Sequence, residues 1–486
     1  MSLKSRTARS LKWNFIDRVA TQVLYAVTGI VLARELSIDD FGLVGAILAF
    51  QAFASLLIDG GFSYALLQRK TNTRLGYSTV FWFNLGVAAL LYILSFFCAP
   101  FIADFVQGDQ RLIPLTRVLF LTLIINSTAL VHINRVVKSQ NVQTLAVANS
   151  LGLITGGVTG IALAVVGYGA WAIVFQNIVI GTVRSIVLWS SSQWRPLWRF
   201  SGTLLHSYLG IGLRMMTTSF LNTLFQNIYT IIIGNRAGLV PTGYYAQGDK
   251  WSKMGITSIS QVFTSSFLPS LSAVQDDAGR YRRAVSKMNR LTAYLLFPAT
   301  LGLAALATPI FHSLFGEKWD PAIMLFQLLL IRGIFTVLCS LYSNYLLALG
   351  HGNAIVRLEV LRDVAAIIAL AVTIPYINLS TPTDPVTGIR IMLYGQLAAA
   401  FITWIASMIV TVRLTGISPI SFCTDMAPYL AETLVIIPIV LFAGGLCPNA
   451  WIALATESLL AIALYLGINA AAGSQIQRDV LKEFKK

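Results

Sequence analysis

The stretch WNFIDRVATQVLYAVTGIVLARE, residues 13–35, decides how the rest of the chain is interpreted. It has the length and the apolar content of a bilayer-crossing helix, which needs about 20 predominantly apolar residues. Two charged residues, Asp17 and Arg18, nevertheless fall inside its first quarter. A charge at the centre of a membrane helix costs about 2.5 to 3.5 kcal/mol on insertion scales, so such residues face a cavity or a partner. We therefore expect this helix to have one face in contact with water.

The composition places the whole chain in the membrane. Of its 486 residues 56% are hydrophobic and only 11% are charged, and apolar runs of about 20 residues follow one another almost from end to end. These runs are too long and too uniform for a transmembrane β-barrel, whose strands alternate in polarity over about 10 residues. The sequence predicts an all-α membrane protein with about 14 spans. The predicted spans are residues 12–34, 41–67, 78–101, 114–135, 143–166, 168–190, 207–234, 244–270, 291–314, 321–348, 356–376, 389–412, 428–446 and 451–472.

Basic residues predict the orientation, because Lys and Arg beside helix ends stay on the cytoplasmic side. With the amino terminus inside, the predicted inner segments hold 23 Lys and Arg, whereas the outer turns hold four. Both termini are therefore predicted to be cytoplasmic. The net charge of +15 is largely accounted for by this asymmetry, so it does not indicate a nucleic-acid partner.

Two segments repeat at an offset of 209 residues: APFIADFVQGDQRLIPL from Ala99 and TPIFHSLFGEKWDPAIM from Thr308. Both end one span with a proline-led turn, pass a glycine beside an acid, and begin the next span near a proline. We predict two six-helix lobes in parallel repeat, with a substrate site between them. The predicted divisions are an N-terminal lobe at 1–199, a C-terminal lobe at 200–415, and two further helices with a cytoplasmic tail at 416–486.

Polar residues form stripes on the first two helices of each predicted lobe, because they recur at steps of three and four. Five cations lie deep in predicted spans, and together they predict a water-accessible, net-positive central cavity for an anionic cargo. The predicted cargo-binding cations are Arg18, Arg214, Lys250, Lys253 and Arg332. The predicted polar lining is Asn14, Gln22, Tyr25, Gln51, Asn222 and Gln226.

Two acids in these stripes, Asp17 and Asp59, leave alternatives open. They either pair with Arg18 or Arg214 and hold helices together, or bind a coupling Na⁺ or H⁺. No Walker-type glycine loop is present, and the four histidines and four cysteines lack metal-ligand spacing. We therefore predict a transporter rather than an enzyme, with no metal and no cofactor beyond a possible coupling ion.

Four segments carry a resemblance to a known family. They are SIDDFGLVGAILAFQAFASLLIDGGFSYALLQRK (37–70), TGYYAQGDKW (242–251), SFLPSLSAVQDDAGRYRRAV (266–285) and LFGEKWDPA (314–322). They resemble bacterial polysaccharide exporters, the O-antigen and exopolysaccharide flippases of the multidrug/oligosaccharidyl-lipid/polysaccharide superfamily, in the branch with colanic and teichuronic acid exporters. The similarity covers nearly the whole chain, but its motifs are diffuse and none is a reaction signature.

The resemblance implies a transporter of the bacterial inner membrane that flips an undecaprenyl-pyrophosphate-linked oligosaccharide by alternating access. It implies that cavity cations hold the diphosphate and sugars, that the last two helices offer a groove for the lipid tail, and that polysaccharide polymerase or export machinery are potential partners. Three rivals remain: a lipid II flippase, a multidrug or small-solute antiporter of related fold, and a membrane glycan polymerase or ligase. Deep charges that are mainly basic argue against the antiporter, and the lack of a large outer loop argues against the polymerase or ligase.

Overall fold

The computed structural model describes residues 3–379 and 384–484; the side chains of residues 3–17, 211, 214, 261–266, 268, 269, 480, 483 and 484 lie outside the description. The described chain is almost wholly helical and contains no strand. Its contacts divide it into two units, Met1–Gly243 and Tyr244–Lys486.

The first unit contains nine helices in the described residues and the start of a tenth. They are α1 (Leu3–Glu35), α2 (Ile38–Asp59), α3 (Phe62–Gln68), α4 (Arg74–Phe105), α5 (Leu112–Leu119), α6 (Leu121–Lys138), α7 (Val142–Val165), α8 (Ala170–Ser191) and α9 (Gly202–Arg236).

The second unit begins within the tenth helix and contains two short 3-10 turns, Glu317–Trp319 and Ile374–Leu379. Its helices are α10 (Leu239–Ser272), α11 (Ala278–Ala305), α12 (Ala307–Leu314), α13 (Asp320–Ala348), α14 (Gly352–Thr373), α15 (Thr387–Thr415), α16 (Pro419–Gly445), α17 (Ala450–Ala471) and α18 (Gln475–Phe484).

Ten helical segments of the described chain are long and apolar enough to cross a membrane, and an eleventh is added if α11 and α12, bent by 59° at their junction, form one span. Each of the 14 predicted spans falls on helical chain, although the spans at 41–67, 114–135 and 291–314 each cover two consecutive helices. Three of those helices, α1, α9 and α10, are 33, 35 and 34 residues long but are not among the segments that qualify. Some side chains of each of the three lie outside the description. The membrane fold is thus confirmed, while the count of 14 stays a prediction.

A pair of glycines separates α2 from α3. Gly60 and Gly61 both have positive φ, 52° and 72°, a conformation that glycine adopts without steric cost. A Cβ on Gly61 would lie 2.2 Å from the backbone oxygen of Gly212 in α9. The break therefore does two things: it bends the chain, and it lets the backbone of α9 approach closely. In keeping with this contact, α9 packs against α2, α3 and α4 within the first unit.

Glycines spaced by four in α7 allow close helix packing. A Cβ on Gly152 would meet the carbonyl oxygen of Ile180 in α8 at 2.9 Å, and one on Gly156 would meet that of Gln176 at 2.8 Å. On another face of α7, a Cβ on Gly157 would lie 2.7 Å from Thr28 Oγ1 of α1. The small side of α7 therefore lets it pack tightly between α1 and α8.

The turn between α4 and α5 is held by one arginine on the predicted outer side. Arg111 donates to the carboxylates of Asp109 at 2.6 Å and Asp39 at 2.5 Å. The hydrogen bond from Arg111 lowers the pKa of Asp109 below its ordinary value. Two acids therefore neutralise one of the four predicted outer cations.

The two segments that repeat in sequence form similar turns. Gly108, between α4 and α5, has φ 77°, and Gly316, between α12 and α13, has φ 92°. In the second unit α11 packs on α13 and α16, and α15 packs on α13 and α14. Both turns thus contain a glycine with positive φ, while the repeat and its division into lobes stay a prediction.

Candidate functional site

The polar stripe of α1 is described from Arg18 onwards, so Asn14 and Asp17 lie outside the described side chains. Arg18 is exposed, Gln22 is half-buried, and Tyr25 is 44% exposed. Thr28, one turn further on, is buried against α7. The stripe is therefore accessible over its first turns and becomes a packing surface towards its end.

In α2 the two candidate residues differ in their surroundings. The amide of Gln51 donates to the hydroxyl of Thr122, so it connects α2 to α6. Asp59 accepts from Ser63 Oγ at 2.5 Å, and Ser63 in turn accepts from Asn134 Nδ2 at 2.9 Å. Among the described side chains no cation lies within 4 Å of Asp59. The two alternatives for Asp59 therefore stay open, since the side chain of Arg214 is outside the description.

Asn222 and Gln226 occupy successive turns of α9. Both are exposed, and Gln226 Nε2 donates to Asn222 Oδ1 at 3.1 Å. The neighbouring Thr218 is exposed as well. This face of α9 thus presents amide and hydroxyl groups, the groups that commonly bind sugar hydroxyls.

Lys250 and Lys253 lie in the part of α10 that belongs to the second unit. Lys253 forms an ion pair of 2.6 Å with Asp249, four residues earlier. Lys250 Nζ lies 5.3 Å from the centre of the Trp251 ring. Both lysines are half-buried, so their charges are partly shielded from water. The charge of Lys253 is thus balanced by an acid of the same helix.

Arg332 is held in α13 by a neutral partner. Its Nη1 donates to Gln396 Oε1 of α15 at 2.9 Å, and the Gln396 side chain is buried. The buried Nε of Arg332 has no acceptor among the described residues. An unsatisfied buried donor on a charged group is costly, so this guanidinium is suited to an anionic ligand.

The described candidates divide between the two units. Arg18, Gln22, Tyr25, Gln51, Asp59, Asn222 and Gln226 lie in the first, and Lys250, Lys253 and Arg332 in the second. Their convergence on one chamber stays a prediction. The sequence interpretation missed Asp249, although its spacing of four from Lys253 is the signal of a helical ion pair. Gln396 is distant in sequence, and nothing in the chain indicated it.

Many apolar helices, with charged and amide side chains inside several of them, define a multi-pass membrane protein. Residues 31–324, more than half of the chain, match the family described as polysaccharide biosynthesis protein. The chain belongs to this family. Relatives and structural neighbours of the chain include proteins named as a transport protein, a flippase and a transporter.

Three relatives are named for the biosynthesis of polysaccharides or their transport. The chain is 26% identical to the succinoglycan biosynthesis transport protein ExoT of Rhizobium meliloti (strain 1021), over 87% of this chain and 81% of the relative. It is 25% identical to the teichuronic acid biosynthesis protein TuaB of Bacillus subtilis (strain 168), over 72% and 73%. It is 26% identical to the lipopolysaccharide biosynthesis protein WzxC of Escherichia coli (strain K12), over 69% and 68%.

Two solved structures share the fold. The lipid II flippase MurJ, in an inward closed conformation, matches 98% of this chain and 100% of its own with a TM-score of 0.73 and 15% identity. An inward-facing multidrug resistance MATE family transporter of the MOP superfamily matches 83% and 99% with a TM-score of 0.62 and 16% identity. These comparisons confirm the family that the four sequence segments resemble, and the class of fold.

Proposed function

We propose that the protein flips an undecaprenyl-pyrophosphate-linked oligosaccharide repeat unit from the inner to the outer leaflet of the bacterial inner membrane. Both termini are cytoplasmic in this proposal. The moving parts are the lobes at 1–199 and 200–415, and the helices at 416–486 accompany them. The oligosaccharide passes through a cationic cavity between the lobes by alternating access. On the outer side it is delivered to polysaccharide polymerase or export machinery.

The observation that carries the proposal is Arg332, a basic side chain within an apolar helix whose buried donor has no acceptor among the described residues. A pyrophosphate with sugars cannot cross hydrocarbon unaided, because its charges would lose their water. A cationic, hydrogen-bonding cavity supplies the interactions that water supplies outside. The amides of Asn222 and Gln226 fit the sugar part in the same way.

Transport by reconstituted protein tests this function. Arg18→Ala and Arg214→Ala are expected to slow the flipping of a labelled lipid-linked oligosaccharide about tenfold or more, because a hydrogen bond to a charged group contributes about 1.5 to 3 kcal/mol. The measurement is the fraction of label that becomes accessible at the opposite face of a proteoliposome. Arg199→Ala removes an exposed cation of the predicted inner loop and is the matched control. Unchanged flipping in the two cavity variants, at normal expression, contradicts the proposal.

A second measurement separates the cargo from lipid II. Oligosaccharides on the same polyprenyl diphosphate differ from lipid II in their sugars, so a polysaccharide repeat unit is expected to raise the melting temperature of the purified protein more than lipid II does. A larger rise in melting temperature with lipid II would mean that lipid II, rather than a polysaccharide repeat unit, is the cargo.

A further inference from the structure

A cavity of about 610 Å³ lies at one end of the α14–α15 pair, the end predicted to face the cytoplasm. It is formed by the turn before α14, the first three turns of α14, and the last turns of α15. It lies wholly within the second unit and involves none of the candidate cargo residues.

The rim of the cavity is basic. His351, Arg357 and Arg413 line it, and no carboxylate does. The two nearest acids along α14, Glu359 and Asp363, bind Arg362 at 2.5 and 3.1 Å. Within residues 3–379 and 384–484 neither Arg357 nor Arg413 has a carboxylate within 4 Å. Two guanidinium groups therefore face one cavity without counter-charge.

The start of α14 adds donors to the same rim. Gly352 and Asn353 are its first residues, and both line the cavity. The amide groups of a first helical turn have no acceptor in their own helix and lie at the positive end of the helix dipole. The cavity therefore combines two free arginines with a helix amino terminus, a combination suited to a phosphate group.

The floor of the cavity is apolar. Leu358, Leu361, Val410 and Leu414 line it together with Ala406. The faces that carry these residues continue towards the middle of the membrane at helical spacing. On α14 they continue from Leu361 to Val364 and Ile368, and on α15 from Ala406 to Ile402. Val364, Ile368 and Ile402 are 46%, 58% and 55% exposed, so exposed apolar surface continues along both helices from the floor of the cavity.

We propose that this cavity binds an anionic phospholipid of the inner leaflet. Arg357, Arg413 and the amino terminus of α14 hold its phosphate. One acyl chain lies along the exposed apolar surface of α14 and α15. A basic pocket between membrane helices on the cytoplasmic side is the arrangement that recognises such headgroups. The apolar floor distinguishes this occupant from free phosphate, which would gain nothing from it. The site is separate from the proposed transport route and stands whether or not that route is correct.

Native mass spectrometry of the full, delipidated protein with added phosphatidylglycerol tests the site. The double variant Arg357→Gln/Arg413→Gln is expected to bind it about 25-fold more weakly, since each basic residue near an anionic membrane surface contributes about fivefold. Lys70→Gln/Arg199→Gln removes two exposed cations of the first unit and is the charge-matched control, expected to bind as the wild type does. Equal binding by both double variants overturns the proposal.

Two further arms identify the ligand and guard against misfolding. Ala406→Phe fills the apolar floor without changing charge, so it is expected to weaken phosphatidylglycerol binding several-fold while thermal unfolding stays cooperative. Glycerol phosphate, which has the headgroup chemistry without acyl chains, is expected to bind far more weakly than the lipid. If glycerol phosphate binds as tightly, or if Ala406→Phe binds the lipid as the wild type does, a lipid is not the ligand.

Discussion

Lys253 is a proposed cargo-binding residue that also forms an ion pair within the chain. Its partner Asp249 has only 13% of its side chain exposed, and the Oδ1 atom of that carboxylate is buried without a donor. The lysine is 39% exposed and so is not sealed from solvent. The negative charge of the Asp249 carboxylate therefore depends mostly on Lys253 for its stabilisation.

We expect Lys253→Ala to destabilise the protein by about 1.5 kcal/mol or more, because a charged acceptor loses its donor. The measurement is the thermal unfolding midpoint in detergent. The double variant Lys253→Ala/Asp249→Ala is expected to recover most of the loss, since it removes the carboxylate as well.

Transport by the double variant then separates the two roles. If Lys253 also binds cargo, flipping stays slow although stability has returned. If flipping returns together with stability, Lys253 serves only to neutralise Asp249, and it is removed from the set of cargo-binding cations.

At the scale of elements, the contact between α7 and α8 depends on glycines, which have a hydrogen atom where other residues have a side chain. A Cβ on Gly156 would lie 2.4 Å from Ile180 Cγ1 and 2.8 Å from the carbonyl oxygen of Gln176. The second of these contacts is to backbone, which cannot turn aside as a side chain can. The two helices would have to move apart.

We therefore expect Gly156→Ala to destabilise the protein by about 1 to 3 kcal/mol, the range for overpacking a well-packed interface. Gly86→Ala in α4 is the matched control, because no atom lies within 4 Å of the Cβ that it would add. Its thermal unfolding midpoint is expected to be unchanged or slightly higher, since alanine favours helix over glycine. Equal midpoints for the two variants would mean that close packing at Gly156 contributes nothing.

The sequence predicted these elements well because helix length and glycine spacing are local properties. The spacing of Gly152, Gly156 and Gly160 is visible in the sequence without any knowledge of the partner helix, and so is the pair Gly60 and Gly61. The partners themselves could not be predicted. That Gln396 receives Arg332, or that Ser63 connects Asp59 to Asn134, depends on which helices become neighbours, and no local pattern specifies this.

At the scale of the whole molecule, orientation follows from the distribution of basic residues rather than from any one contact. The predicted inner segments hold 23 Lys and Arg against four outside, and Arg111, one of those four, is neutralised by acids. The division of the chain into two units assigns α9 to the first unit, where it packs with α2, α3 and α4. The sequence did not indicate this assignment.

We expect the loop between α8 and α9 to lie inside the cell and the turn between α12 and α13 to lie outside. In a chain without its four native cysteines, Lys318→Cys should react with a membrane-impermeant maleimide in intact spheroplasts. Arg199→Cys should react only after the membrane is permeabilised. The reverse pattern would invert the topology, and labelling of both sites from outside would mean that the number of spans between them is even.

The charged residues of α1 bear on how the chain is made. A helix that is synthesised into a membrane stays there if its partition into lipid is favourable, and the charges of α1 oppose this. Its packing partner α7 begins more than 100 residues after α1 ends. The ribosome therefore completes several other helices before α1 can pack against α7. We therefore expect α1 to reach its packed position only after α7 has been made.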